Sequence, residues 1–412
     1  MKYGCIGERL PHSFSKEIHE KIGSYAYELK ELAPDQVGPF MLRRDFIAIN
    51  VTIPYKQTVI PYLDAVDETA AAIGAVNTVV NRNGKLYGYN TDAFGMQALI
   101  EKERISLNGK KVLILGTGGT SKTAAYAASR LGASEVYKVS RRAQPGAITY
   151  AEARKKHADI QIIINTTPVG MYPNLFESAI DVKAFPALEA VLDAVYNPLH
   201  TLLTASAAEI GIQAQTGLYM LVSQAVRAYE IFMETEAEEG TADRIFRDIF
   251  NAKQNIVLTG MPGCGKTTIG KLLSEKLHRP FIDTDEWIVN KTGISIPDIF
   301  RLHGETAFRK IETEIIREIS ARSGCVISTG GGAVLNFENT DALKMNGRIY
   351  FLDRSPELLT PTGDRPLALS KEAIFNRYRE RYDIYRNTAD DVINDNTAVA
   401  AVAYEIERRH FD

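Results

Sequence analysis

An α/β protein of more than one domain, its parallel sheets flanked by helices, is predicted from three observations. Short β-branched runs alternate with helix-like stretches along most of the 412 residues. That length exceeds what one hydrophobic core normally organises. Two glycine loops each follow an apolar run, and their chemistry differs: residues 116–119 read GTGG, and 260–267 read GMPGCGKT. The first lacks a lysine–hydroxyl ending and reads as a dinucleotide turn, whereas the second is a complete Walker A sequence. One half is therefore suited to a nicotinamide cofactor and the other to ATP, which predicts two reactions in one chain.

In chain order, residues 111–115, 135–140, 161–164 and 190–194 read as successive strands of one sheet, with alanine-rich helical segments such as 121–131 between them. A long helix is expected over 221–233. Residues 234–241 (ETEAEEGT) are acidic and poor in apolar side chains, the composition of an exposed connection. A last helix over 243–251 precedes a second sheet starting near Asn255, so the main boundary falls close to residue 252.

Composition excludes several classes of function. The chain is 45% apolar and 24% charged, as ordinary globular proteins are, and a net charge of −3 argues against a nucleic-acid surface. No apolar run is long enough to cross a bilayer, and no secretory pattern opens the sequence. Cys5, Cys264 and Cys325 are widely spaced and odd in number, which suits free thiols in a reducing compartment. A cytoplasmic protein without nucleic-acid or membrane partners is expected.

The turn Gly116-Thr117-Gly118-Gly119-Thr120 lets backbone N–H groups at a helix start approach a pyrophosphate. Ser121 stands where a strict G-x-G-x-x-G has its third glycine, so spacing alone leaves a plain structural turn open. The next strand adds information. It should end beside the adenosine ribose, where an acidic residue would favour NAD. Ser140, Arg141 and Arg142 stand there instead, and two guanidiniums suit a 2′-phosphate. NADP(H) is the expected cofactor.

Four further clusters occupy breaks in the apolar pattern: residues 11–15 (PHSFS), 50–56 (NVTIPYK), 74–78 (GAVNT) and 90–92 (NTD). Each alone is an ordinary turn, but together they offer the convergent hydroxyl and amide groups that a small polyhydroxylated acid needs. Lys56 is a mobile proton donor and Asp92 can orient it, so the two are the expected catalytic pair for general acid–base work, with a surface ion pair as the alternative.

In this order, followed by the glycine loop, the clusters resemble a shikimate dehydrogenase over residues 1 to about 251. Residues 165–168 (NTTP), 193–198 (DAVYNP) and 217–224 (GLYMLVSQ) extend the match. The resemblance implies that Ser13, Ser15 and Tyr196 hold a substrate carboxylate and that Thr52, Asn77, Asp92 and Gln224 hold ring oxygens. Asn50 and Lys56 belong to the same substrate segment. Gly217 and Met220 would lie beside the nicotinamide, with Glu68 and Ala194 as further cofactor-side positions. A substrate domain of residues 1–92 and 217–251, interrupted by a Rossmann NADP domain over 93–216, is implied as well. Lys16 departs from the family pattern, standing where proline commonly follows the second serine.

In the second half, Gly263, Cys264 and Gly265 offer backbone N–H groups to phosphates, Lys266 reaches the β/γ oxygens, and Thr267 can bind Mg²⁺. About 160 residues beyond the boundary suit a small P-loop kinase. Residues 281–285 (FIDTD) are expected to put two carboxylates on alternate residues leaving a strand, one for the metal's water shell and one for the acceptor hydroxyl. Arg309 and Arg381 are candidate clamps for an anionic substrate, and the glycines 330–332 allow close backbone approach.

GCGKTT (with Thr268), DTD, GETAFRKIE, STGGGAV, DRPL and R-x-x-x-Y together resemble shikimate kinase over residues 253–412. The resemblance implies that Asp285 binds and activates the acceptor hydroxyl, leaving Asp283 with Thr267 at the metal. It further implies that Arg309 and Arg381 grip the carboxylate, that Gly331 touches substrate, and that Arg365 reaches the phosphates from a lid. The stretch between Leu352 and Arg365 is shorter than in many relatives and offers no clear basic residue to pack on adenine; Arg354 reads first as an exposed loop arginine, with that packing role as the alternative.

The two resemblances converge, because a dehydrogenase reducing 3-dehydroshikimate makes the 3-hydroxyl that a shikimate kinase phosphorylates. Two other readings compete. A quinate/shikimate dehydrogenase would use NAD, which Ser140-Arg141-Arg142 disfavours. A non-catalytic metabolite sensor, like the fungal quinate repressor, should have lost its reactive groups, yet Lys56, Asp92, Lys266, Thr267 and Asp285 are all present.

Overall fold

Three sheets organise the chain in the computed structural model, which describes residues 1–10, 13–359, 371–394 and 396–411. The chain divides into two units, Met1–Ile249 and Phe250–Asp412. The first unit holds two sheets and the second holds one. The helix Thr241–Lys253 runs through the changeover.

The first sheet contains β1 (Tyr3–Gly7), β2 (Tyr27–Glu31), β3 (Ala48–Val51), β4 (Ala65–Val66), β5 (Thr78–Arg82) and β6 (Lys85–Tyr89), in the order β2-β1-β3-β5-β6-β4. It is mixed rather than parallel throughout, because β5 runs antiparallel to both β3 and β6. The cause is local. Asn83 (φ 53°) and Gly84 (φ 82°) form a two-residue turn with both residues left-handed, the geometry that matches the twist of a β-hairpin.

The second sheet contains β7 (Lys111–Leu115), β8 (Glu135–Ser140), β9 (Ile148–Thr149), β10 (Ile162–Asn165), β11 (Ala190–Asp193) and β12 (Gln213–Thr216). Its order is β12-β11-β10-β7-β8-β9, every pairing being parallel. Strand direction of travel reverses beside β7, so the loops after β7 and β10 diverge and leave a crevice at their carboxyl ends. The runs Val112 to Leu115 and Ile162 to Ile164 are buried on both faces, as helices on each side of a parallel sheet require. The helices Thr91–Lys102 and Leu218–Met233 pack closely at Gly95, where a Cβ would lie 2.5 Å from the Met220 carbonyl oxygen.

The third sheet contains β13 (Asn255–Thr259), β14 (Phe281–Asp283), β15 (Val326–Ser328), β16 (Gly347–Asp353) and β17 (Asp391–Asn394), all parallel in the order β14-β15-β13-β16-β17. The central strand β13 is fully buried and feeds the Walker A loop into the helix Lys266–Leu277. Gly304 (φ 78°, ψ 171°) breaks the helix Ile296–Ser320 near its first third. No helix among the described residues is long and apolar enough to cross a membrane.

Candidate functional sites

In the first unit, the polar clusters of the sequence converge above the carboxyl ends of β1 and β3. Lys56 lies in the turn after β3, and Asp92 in the first turn of the helix Thr91–Lys102, which Asn90 caps by accepting from the Ala93 N–H at 3.1 Å. Lys56 Nζ and Asp92 Oδ2 are 2.5 Å apart, with only 14% and 10% of the side chains exposed. A surface ion pair is thereby excluded.

Asn77 is the hub beside them. Its Nδ2 donates to Thr91 Oγ1 (3.0 Å) and Gln224 Oε1 (3.4 Å), while its Oδ1 accepts from the Thr91 N–H (2.7 Å). Asn50 is oriented from below: Oδ1 accepts from Tyr27 Oη at 2.7 Å and Nδ2 donates to Thr78 Oγ1 at 3.1 Å. Ser13 Oγ donates to Ser15 Oγ at 3.0 Å, and Phe14 packs on Tyr196 with ring centroids 5.2 Å apart. Burial pushes the Tyr196 hydroxyl up to about 12, so it stays a neutral donor. Thr52 lies against Gly7, its Cγ2 2.7 Å from where a Cβ there would stand.

The glycine turn opens onto the same space. Gly116 has φ 108° and approaches Thr166 so closely that a Cβ would sit 2.9 Å from Thr166 Oγ1, while a Cβ on Gly118 would meet nothing within 4 Å. Ser121, in the place of the third glycine, donates to the Gly116 carbonyl oxygen at 2.7 Å and so braces the turn. A Cβ on Gly119 would lie 3.8 Å from Lys56 Cδ, which puts the turn and the lysine side by side. Thr117 is exposed and Thr120 half-buried at the start of the helix Gly119–Arg130.

Gly217 abuts Ala194 tightly enough that any side chain would overlap the Ala194 carbonyl, and the neighbouring Met220 is buried. Beneath Ala194, the buried Asp193 accepts from Asn165 Nδ2 (2.9 Å), the Val195 N–H (3.0 Å) and Thr201 Oγ1 (2.8 Å). Sequence reasoning gives neither the bracing role of Ser121 nor the buried network of Asp193; their signals lie inside the glycine-loop and DAVYNP matches. Ser140 ends β8 with its hydroxyl on the Arg142 carbonyl, and both Arg141 and Arg142 are exposed. Glu68 is exposed at the start of the helix Glu68–Ile73, and no hydrogen bond joins it to the glycine turn among the described residues.

In the second unit, Gly260, Gly263 and Gly265 take φ of 142°, 87° and 105°, conformations an L-residue rarely adopts. Lys266 is nearly buried and turns back over the loop, donating to the carbonyls of Gly260 (2.9 Å) and Met261 (3.1 Å) and lying 3.8 Å from Cys264 Sγ. Thr267 Oγ1 donates to Asp283 Oδ2 at 2.8 Å. Asp283 also caps the helix Thr284–Thr292, accepting from the Asp285 N–H at 3.0 Å. The two carboxylates thus stand on alternate residues where the chain leaves the strand, β14 stopping at Asp283 and Asp285 lying in the first helical turn. Thr268 follows in the Walker helix, at the edge of the same cleft.

That cleft, of about 780 Å³, runs from Lys266, Thr267 and Asp283 to Asp285, Arg309 and Arg381. Arg309 Nη1 donates to Glu312 Oε2 at 2.7 Å and Nη2 to Glu305 Oε1 at 3.0 Å. Arg381 Nη1 donates to the Gly331 carbonyl at 3.0 Å, as does the Tyr385 hydroxyl. The three glycines are crowded: a Cβ on Gly330 would lie 2.7 Å from Asp285 Oδ1, one on Gly331 2.7 Å from the Pro262 ring, and one on Gly332 would displace the Arg309 guanidinium. Burial raises the pKa of the fully buried Glu312, opposed by the Arg309 charge. Arg354 is half-buried rather than exposed. Arg365 lies outside the described residues.

Residues 5–79 match the family model for the shikimate dehydrogenase substrate-binding domain, and residues 262–410 match the model for shikimate kinase. The chain is 34% identical over 265 residues to the shikimate dehydrogenase (NADP(+)) of Clostridium perfringens strain SM101, covering 60% of this chain and 97% of that relative. It is similar to shikimate dehydrogenase 1 from Peptoclostridium difficile (34% identity, TM-score 0.56, 60% of this chain and 98% of that one). It is also similar to shikimate 5-dehydrogenase from Thermus thermophilus in complex with NADP(H) and shikimate (29% identity, TM-score 0.55, 60% and 99%). The chain thus belongs to the shikimate dehydrogenase family through its first unit and carries a shikimate kinase domain in its second.

Proposed function

We propose that the chain catalyses two consecutive steps of the shikimate pathway: NADPH-dependent reduction of 3-dehydroshikimate to shikimate, then ATP-dependent phosphorylation of shikimate to shikimate 3-phosphate. The observation that carries this reading is the coexistence, in one polypeptide, of the Lys56–Asp92 pair beside a dinucleotide turn and the Lys266–Thr267–Asp283 cluster beside Asp285 and two arginines. We assign residues 1–92 and 217–251 to substrate binding, 93–216 to NADP binding and 253–412 to the kinase. The cytoplasm is the expected compartment.

When bound, NADPH supplies the hydride and Mg²⁺-ATP the phosphoryl group. Ser13, Ser15 and Tyr196 would hold the carboxylate of the ring acid, and Asn50, Thr52, Asn77, Asp92 and Gln224 its oxygens. Lys56 gives a proton to the carbonyl oxygen as it becomes a hydroxyl, and Asp92 keeps the ammonium aimed at it. The turn 116–120, with Ser140, Arg141 and Arg142, fits the pyrophosphate and 2′-phosphate. Gly217, Ala194 and Met220 would wall the nicotinamide. Glu68 remains a peripheral cofactor-side position.

In the kinase cleft, Gly263, Cys264, Gly265 and Thr268 line the phosphate path. Lys266 would leave its loop carbonyls for the β/γ oxygens, and Thr267 with Asp283 fits Mg²⁺. Asp285 accepts the proton of the 3-hydroxyl, Arg309 and Arg381 orient the carboxylate beside Gly331, and Arg365 would close from the lid. Substituting Lys56→Ala should abolish NADPH oxidation with 3-dehydroshikimate and leave ADP formation from shikimate intact; Lys266→Ala should do the converse. Loss of both activities from either change in folded protein would overturn the division of labour.

A further inference from the structure

The kinase cleft holds one more guanidinium than its two expected clamps. Arg377 lines it together with Arg309 and Arg381. It stands four residues before Arg381 on the helix Lys371–Thr388, so the two cations share one face. Arg381 is tied to the Gly331 carbonyl, and Arg309 to Glu305 and Glu312. Arg377 makes no hydrogen bond or ion pair among the described residues. It is half-buried, and burial, followed by the Arg381 charge, lowers its pKa, with Glu380 and Glu305 opposing. Like charges one turn apart repel, and burial sharpens the repulsion, so this face becomes favourable when an anion enters.

Which anion is indicated by the neighbours. Arg377 lies one turn from Arg381, which is held on the Gly331 carbonyl among the glycines that crowd Asp285 and Arg309, whereas Lys266, Thr267 and Asp283 mark the phosphate end of the cleft. We propose that Arg377 is a specificity-determining residue of the acceptor site, engaging the substrate carboxylate alongside Arg309 and Arg381 so that the cleft rejects acceptors with a neutral group there. This rests on the reading of the cleft as the place where shikimate is phosphorylated.

The test uses the full chain, with shikimate and its methyl ester as acceptors. Arg377→Met should raise KM for shikimate about tenfold or more, with kcat and the KM for ATP held within about twofold. Arg377→Lys should fall between, and it supplies the same comparison if the methionine variant does not fold. With the methyl ester, wild type and variants should perform alike, because the carboxylate is gone. Equal losses on both acceptors would assign Arg377 a packing role, a raised KM for ATP would assign it to the nucleotide, and an unchanged KM for shikimate would assign it nothing; each overturns the proposal. Failure of the wild type to phosphorylate shikimate would instead remove the underlying reading, and the proposal with it.

Discussion

Asp193 is a carboxylate with no exposed surface, and its consequence for stability can be worked through in full. Burial raises its pKa from 3.8 to about 6, although the Val195 N–H, Thr201 and Asn165 all pull it down. Between about pH 4 and pH 6 the folded chain therefore keeps a proton that the unfolded chain has lost. Stability must fall as pH rises through that window and level off above it. A gap of about two pK units, at about 1.4 kcal/mol each, amounts to about 3 kcal/mol. Asp193→Asn preserves the shape: its oxygen can still accept from Asn165 and Val195, and its amide can donate to Thr201 Oγ1. It cannot titrate. Urea unfolding of the first unit, followed by far-UV circular dichroism from pH 4 to pH 7.5, should show the asparagine variant gaining about 3 kcal/mol over wild type as pH rises. Taking the difference between the two proteins cancels every other titrating group. The sole tryptophan, Trp287, lies in the second unit and marks its unfolding independently. A difference that stays flat with pH, or that shrinks, would refute the reasoning.

Three other perturbations have definite expected outcomes. Replacing Arg141 and Arg142 together by alanine should lower kcat/KM for NADPH about 10- to 100-fold and leave NADH almost unchanged, as steady-state rates with each cofactor would reveal. Gly332→Ala pushes a methyl group onto the Arg309 guanidinium, so KM for shikimate in the kinase assay should rise roughly tenfold without change in 3-dehydroshikimate reduction. His410 is buried against Tyr350 and Arg279, and burial lowers its pKa from 6.5 to about 3. Its contribution is complete above pH 6.5 and is lost as pH falls toward 3, so His410→Phe should flatten the acid limb of second-unit stability read from Trp287 fluorescence.

Much of this was legible in the sequence because strand burial and loop chemistry leave local signatures. The runs at 111–115 and 135–140 coincide with β7 and β8: β7 is buried on both faces from Val112 to Leu115 and so reads as an apolar run, while β8, mostly half-buried, is carried by Val136, Tyr137 and Val139. The run at 161–164 is displaced by one residue from β10, because Gln161 is polar at the strand's mouth while Asn165, also polar, is inside the ladder and bound to Asp193. Lys56 and Asp92 are separated by 36 residues, and only recognition of the whole motif order could bring them together.

Other features were hidden for physical reasons. The mixed character of the first sheet is written in Asn83-Gly84, a hairpin signal overshadowed by the surrounding α/β alternation. That Asp283 caps the helix carrying Asp285 is hidden as well, because the residues leaving the strand give no sign of where the chain turns into a helix. Arg377 stands in a run of charged residues that reads as a solvated helix face, and only the fold shows which turn of that face borders the cleft. Ser121 looks like a fault in a glycine motif, whereas its hydroxyl supplies the brace that holds the turn.

The central claim is that one carboxylated cyclohexene ring occupies two independent sites on this polypeptide. Isothermal titration of shikimate into the full chain, with NADPH and Mg²⁺-ADP present so that neither site can turn over, measures this directly. The account predicts two equivalents bound per chain, with Arg381→Met removing one and the double change Ser13→Ala, Ser15→Ala removing the other. A single equivalent in the wild type, or loss of both from either variant while the protein remains folded, would contradict it.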